Sequence, residues 1–542
     1  MKDDLIKIKL MFTIMITFFV ILIIGGQFTI DYYREDIPLV KNITDFDPYE
    51  KGNYYLKLSF LSLNYYRYSL EYKNYTESLQ AQENYALIDS TQLGYAESIP
   101  VLVYHGVNSD ESTDGEGYSL SVSTFKDQMF ALKKAGWQTV KMEEFNAFMR
   151  GEKQLPAKSF LLTFDDGRKD SFYGADPILK AVDYNAVMFV ITGESLNPEK
   201  QTYKYHLNIA ELQKMIDSGT WQLETHAGLG HGTPVIAEDG TKGHFYSDKL
   251  WLSEENRLET DEEFKTRIYN DMNEAKLALK ETFGVNSTTF AYPFGDYGKD
   301  TINYPSSQKV VISTVNSLFE FAFYQTWVGE GYTFNYPSTT ERALIKRLKP
   351  SANWEGEKLL KYLEFGTTKE LPYDTNSDIK FKAFADHEGK LIDTKGTLTL
   401  LSQLGDTSAF TFLDGSYPWQ NYTFTLKVKE YQAEALSMIA RISSPTDYVT
   451  CTYSKDFLQI IKSVNNVKTN IFSKRIKYLK LPNENFEVGI KVDGDKVSCL
   501  FNGKVILSRD VKDMPTNGGI GFAVWDPSSP VSLTTDRIII SI

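Results

Sequence analysis

Across residues 99–355, short apolar runs alternate with stretches of helical spacing. The runs at 101–104, 139–140, 160–164, 186–191, 221–224, 289–292, 322–324 and 344–348 have the length of buried strands. Between them, residues 125–135 repeat Phe125, Met129 and Leu132 at helical intervals, and 142–149 and 263–283 follow the same period. Asn208 with Glu211 three residues on forms a capping box, and Gly219 stops the helix that it starts. This alternation predicts an α/β fold, a β/α barrel. After residue 378 the period changes to two. Strands are expected at 422–428, 437–442, 448–453, 458–461, 486–492, 496–501, 504–507, 520–524 and 538–542, with hairpin turns at Asp493-Gly494 and Asn502-Gly503. Residues 379–542 therefore read as an antiparallel β-sandwich, and 356–378 as a linker.

The longest apolar run, 10–28, is long enough to cross a bilayer. Lys2, Lys7 and Lys9 precede it, and Asp31, Glu35 and Asp36 follow. The positive-inside rule places the N-terminus in the cytoplasm and the rest outside, which makes residues 1–28 a cytoplasmic tip and transmembrane helix of a single-pass cell-membrane protein. A cleaved signal peptide is the rival, but no A-x-A-like site follows the run. The Tyr-rich stretch 29–98 reads as an extracytoplasmic spacer. A net charge of −13 excludes nucleic acid as the natural partner. The two cysteines, Cys451 and Cys499, would pair in an exported chain or remain reduced core residues.

His105, Asp165, Asp166, His226 and the pair Pro293-Phe294 all fall at the C-terminal ends of expected strands. In a β/α barrel those ends form one face, where active sites lie. The Asp pair before Gly167 is by itself compatible with a solvated turn. Only six histidines occur, and two of them, His226 and His231, flank a small-residue loop just after a strand. Asp166, His226 and His231 would give one oxygen and two nitrogens with a position left open, which is the pattern of a catalytic metal. Asp165 is then left to accept a proton from water. The bland alternative is a pair of surface-loop histidines.

Three motifs, TFDDG at 163–167, THAGLGH at 225–231 and YPFG at 292–295, resemble those of the NodB-type polysaccharide deacetylases (carbohydrate esterase family 4). PVLVYHGV at 100–107 and FKDQMFALKKAGW at 125–137 fit as well, so the resemblance covers residues 99–355. The four residues between the histidines are most similar to the spacing in biofilm poly-N-acetylglucosamine deacetylases. The resemblance implies a deformed (β/α)7-type barrel that removes N-acetyl groups from an acetylated amino-sugar polymer, either exopolysaccharide or peptidoglycan. It implies Asp165 as general base and Asp166, His226 and His231 as ligands of a divalent metal, Zn2+ first, with Co2+, Ni2+ or Fe2+ as alternatives. Tyr292, Pro293 and Phe294 would line the acetyl pocket.

Two family features are absent. No arginine precedes Pro293 closely, and residues 343–348 lack the histidine that protonates the leaving amine. His105 is the substitute acid by position, with a structural histidine as its alternative reading. Asp296 and Arg347 are candidates to orient Asp165, His244 reads as solvated and His206 as structural. These gaps keep a second reading open, a degenerate barrel that only binds glycan. Residues 517–522 resemble the concanavalin A-like/laminin-G jelly rolls, which implies a carbohydrate-binding or spacing module. Trp419, Tyr422, Tyr448, Tyr453 and Trp525 are its candidate sugar-stacking residues.

Overall fold

The computed structural model describes residues 94–542 apart from 109–118, 203–204, 327–333, 338–341, 376–383, 395, 404, 445–446, 455–456, 465–466 and 476–480. The apolar run at 10–28 and most of the spacer lie outside the described residues. Among those described, no helix is long and apolar enough to cross a membrane.

Seven parallel strands form the barrel: β1 (Val101–Tyr104), β2 (Ser159–Phe164), β3 (Ala186–Ile191), β4 (Trp221–Ala227), β5 (Thr289–Ala291), β6 (Phe321–Thr326) and β7 (Ile345–Leu348). Each pairs with its neighbours in chain order, except that β1 lies between β7 and β2 and closes the ring. A two-residue strand, Gln138–Thr139, adds to the outside of β2. All residues of β1, β2, β3 and β6 are buried, so these strands read as continuous apolar runs rather than alternating ones. The alternation appears in which core each side chain joins. Val101, Leu161, Val187, Phe189, Phe323 and Ile345 fill the inside, whereas Leu102, Tyr104, Phe160, Leu162 and Phe164 pack outward under the helices. Side chains two apart on a strand share a face. Asp165 follows Leu161 and Thr163 inward, and Arg347 follows Ile345.

The expected linker begins too early. Residues Gly356–Gly366 form a helix. Leu359 and Leu363, one turn apart, are fully buried in the barrel's outer core, and Trp354 stacks on Tyr362 at 4.1 Å. Burying each leucine stabilises the helix by about 1.5–3 kcal/mol. The i, i+4 leucine pattern was there to be read, but the Gly and Thr residues beyond it mask the segment as loop.

The C-terminal region is two antiparallel sheets packed on one shared core. The structure adds strands that the pattern did not predict, among them Thr397–Leu401, Ser408–Leu413 and Val467–Arg475. Three of the proposed sugar-stacking aromatics belong to this core. Trp419, Tyr422 and Tyr453 are at most 5% exposed, whereas Trp525 is 47% exposed. Tyr453 donates its hydroxyl to the carbonyls of Gly489 and Leu500 on the facing sheet. The sandwich meets the barrel at the end opposite Asp165. Tyr417 stacks on Tyr336 at 5.2 Å, close to where Asn335 pairs with Ile99 just ahead of β1.

Cys451 and Cys499 form a disulfide joining strands Asp447–Ser454 and Lys496–Phe501, which belong to different sheets. With the two cysteines 48 positions apart, replacing both by serine is expected to destabilise the sandwich by about 4 kcal/mol through chain entropy of the unfolded state. Guanidinium unfolding of the full chain measures it. A loss below about 1 kcal/mol would show that packing alone holds the two sheets together.

Candidate active site

The site begins where β2 ends. Asp165 donates its backbone N–H to the Tyr104 carbonyl, extending the ladder by one residue. Asp166 then leaves the strand in the left-handed region at φ +71°, followed by Gly167 at +65°. A non-glycine residue held there costs about 1–3 kcal/mol, a strain that clusters at functional sites. The turn separates the two carboxylates, so that Asp165 points into the barrel and Asp166 points across its mouth.

Asp165 meets Arg347. The guanidinium Nη1 and Nη2 each donate to one carboxylate oxygen at 2.7 Å, and both side chains are buried. Nη1 also reaches Thr163 Oγ1, and the guanidinium lies over the ring of Phe189. Burial pushes the Asp165 carboxyl up, but Arg347 and the nearby imidazoles outweigh it and hold it below the usual carboxylate range. Asp165 thus has a guanidinium partner from β7, although the Pro293 segment carries no arginine. Asp296, the other candidate to orient Asp165, bonds elsewhere: its carboxylate takes His244 Nδ1 and Ser247 Oγ.

His226 sits in a β-bulge. Val190 pairs with Thr225 and Ile191 with Ala227, which leaves His226 as the extra residue. A bulge re-aims one side chain. His226 Nδ1 donates to the Ala291 carbonyl at 2.8 Å, which places the proton on Nδ1 and leaves Nε2 a lone pair. The loop to His231 is pinned by Asp271, whose carboxylate accepts the N–H groups of Gly228 and Leu229 and the hydroxyl of Tyr246. Gly230 is required there, because a Cβ would lie 2.6 Å from the Tyr246 ring. Neither Asp271 nor Tyr246 was found by sequence reasoning, which had only the small loop residues as a signal.

His226 Nε2 and His231 Nε2 converge on Asp166 Oδ1 at 3.3 and 3.2 Å. That oxygen is buried and makes no hydrogen bond among the described residues. The three ligand atoms lie within 4.8 Å of one another. A lone pair aimed at a carboxylate oxygen is repulsive unless a cation sits between them. The donor set therefore fits a divalent metal held by one oxygen and two nitrogens.

His105 lies at the end of β1, and Ser171 Oγ donates to its carbonyl. Burial pushes its imidazole pKa down to about 4, the Asp166 and Asp165 carboxylates pull it up, and Lys349 and Arg347 add to the downward push. Of the expected pocket residues, Phe294 reaches the surface, at 41% exposed. Tyr292 does not: it is fully buried between Phe290 and Tyr297, because it continues the parity of Phe290 toward the outer core. Pro293 is buried as well. Phe294 is at φ +60°, stacked on His244 at 4.6 Å and against His231 at 4.7 Å. His244 is thus part of the site wall and not a solvated loop residue. His206, read as structural, lies with Nδ1 3.6 Å from Glu194.

The sequence model of the family described as polysaccharide deacetylase matches residues 152–311. The poly-beta-1,6-N-acetyl-D-glucosamine N-deacetylase of Escherichia coli (strain K12) is 26% identical over 202 residues, 36% of this chain, and the match spans 30% of that protein's length. The enzyme of the same name from Staphylococcus aureus (strain MRSA252) is 26% identical over 227 residues, 42% of this chain and 70% of the relative. A solved de-N-acetylase from Aggregatibacter actinomycetemcomitans superposes with a TM-score of 0.42 at 20% identity, covering 49% of this chain and 99% of that one. Asp165, Asp166, His226 and His231 all fall inside the stretch that resembles a polysaccharide deacetylase domain.

Proposed function

We propose that the barrel hydrolyses N-acetyl groups from an N-acetylhexosamine polymer, exopolysaccharide such as poly-N-acetylglucosamine or peptidoglycan, and releases acetate. The observation that carries this reading is the buried Asp165–Arg347 pair beside the Asp166, His226 and His231 cluster. A site built only to bind glycan has no use for a carboxylate held anionic next to a metal cluster. The names of the relatives support the substrate class, the Cys451–Cys499 disulfide supports an extracytoplasmic location, and the apolar run at 10–28 supports a membrane anchor.

A divalent metal, Zn2+ in this reading, supplies Lewis acidity that activates water and polarises the acetamide carbonyl. Asp166, His226 and His231 hold it. Asp165, kept ionised by Arg347, accepts the proton of the attacking water. With its imidazole held down at about 4 by burial, His105 is neutral near pH 7, so it relays to the departing nitrogen, as the C–N bond breaks, the proton that Asp165 took from water. Phe294 lines the acetyl side, and a backbone N–H of its turn stabilises the developing oxyanion.

The test is acetate release from acetylated glucosamine oligomers, β-1,6- and β-1,4-linked, by the full-length protein supplied with zinc. Chelation is expected to abolish release, and added zinc to restore it. Glycan binding without any acetate release in the presence of zinc would establish the binding-only alternative.

A further inference from the structure

The loop between His231 and the helix Asp261–Phe283 carries a further imidazole at the site, on a mount that the deacetylation chemistry above does not use. Two almost fully buried carboxylates build this mount. Asp296 Oδ2 accepts His244 Nδ1 at 2.7 Å and Ser247 Oγ at 2.6 Å, and its Oδ1 accepts the N–H groups of Gly298 and Asp300. Asp248 accepts the His244 N–H through one oxygen and Thr301 Oγ1, Ile302 N and Asn303 N through the other. The chain before His244 runs so close that a Cβ on Gly243 would lie 2.3 Å from Asp248 Oδ2.

What this mount holds is a half-buried ring, 33% exposed at the side chain, with Nδ1 engaged and no hydrogen-bond partner for Nε2 among the described residues. The ring lies 11° from parallel on Phe294, whose other neighbour is the metal-ligand candidate His231. His231, Phe294 and His244 therefore make a continuous strip leading away from the metal cluster. Phe294, 41% exposed, offers apolar surface against which a sugar ring can pack. With Nδ1 held by Asp296, Nε2 accepts a hydrogen bond when the ring is neutral and donates one when it is charged. A sugar hydroxyl satisfies either state.

We propose that His244, held by Asp296, contacts substrate: its Nε2 binds a hydroxyl of the saccharide chain beyond the reacting acetamide, and so selects a polymer over other acetyl compounds. This rests on the deacetylase reading above. The test compares two substrates of the zinc-loaded full chain, an acetylated glucosamine tetramer and 4-nitrophenyl acetate, which carries an acetyl group but no sugar. In His244→Ala the ratio of kcat/KM for the tetramer to that for the ester is expected to fall about tenfold, mainly through KM, as for one lost hydrogen bond. His244→Gln, which keeps a donor and an acceptor, is expected to recover part of the ratio, and Asp296→Asn to lose part of it. An unchanged ratio, with both substrates slowed together or neither slowed, overturns the contact. If wild type hydrolyses the ester but releases no acetate from the tetramer, the saccharide reading falls and the contact with it. If wild type turns over both and the ratio holds in His244→Ala, only the contact falls.

Discussion

Asp165→Asn is expected to lower acetate release by about 10²–10⁴-fold, the usual contribution of a positioned general base. The substitution is nearly isosteric and keeps an oxygen for Arg347, so it removes proton acceptance with little change of shape. Zinc content is expected to stay at the wild-type level, because the ligand atoms come from Asp166, His226 and His231. Measuring acetate and bound metal on the same preparation separates loss of the base from loss of the metal. A variant that keeps its zinc and releases acetate at the wild-type rate would show that the water proton goes elsewhere.

The second large effect is on stability and on pH dependence together. Arg347→Met leaves the buried Asp165 carboxylate without its partner, and breaking a buried pair from one side costs about 3–5 kcal/mol. For a barrel of this size that lowers the melting temperature by on the order of 10 °C. The sign of the pH effect follows from the pair. Arg347 helps hold the folded-state pKa of Asp165 below its unfolded value. In wild type the resulting stability is present above the unfolded value, about 3.9, and is lost as pH falls through the folded one. Without the guanidinium, burial pushes the carboxyl up instead. The variant's deficit should then shrink as acid neutralises Asp165, and the acidic limb of its rate profile should move to higher pH. Adding Asp165→Asn to Arg347→Met is expected to recover part of the lost stability, since no charge is left stranded. Equal melting temperatures for wild type and Arg347→Met across the pH range would contradict the pairing.

The contrast between Arg347 and the metal cluster shows what was legible. Asp165, Asp166, His226 and His231 stand in short motifs at strand ends, because each strand end presents its residues to the mouth without help from elsewhere. The barrel itself was legible for the same reason: strands buried on both faces leave unbroken apolar runs. The expected linker, 356–378, gives way to a helix over 356–366 because Leu359 and Leu363 bury one face of a short segment whose glycines read as loop. Tyr292 was misplaced because adjacency in the chain stood in for parity, and its neighbour Phe294 is the residue that turns outward.

The sequence by itself therefore picked out the strand-end face, the Asp166, His226 and His231 cluster and the carboxylate of Asp165 beside it, since these depend on local order along one strand or loop. Only the tertiary structure decided what surrounds them. Arg347 reaches Asp165 across 182 residues because barrel closure places β7 and β2 on either side of β1, one strand apart. Parity with Ile345 turns it inward, a signal present in the sequence but mute without the register. His244 and Asp296 meet across 52 residues because Asp248 and Asp296 bind two loops into one wall. Charged side chains in loops default to solvent, and only burial of their partners turns such a histidine into part of the site.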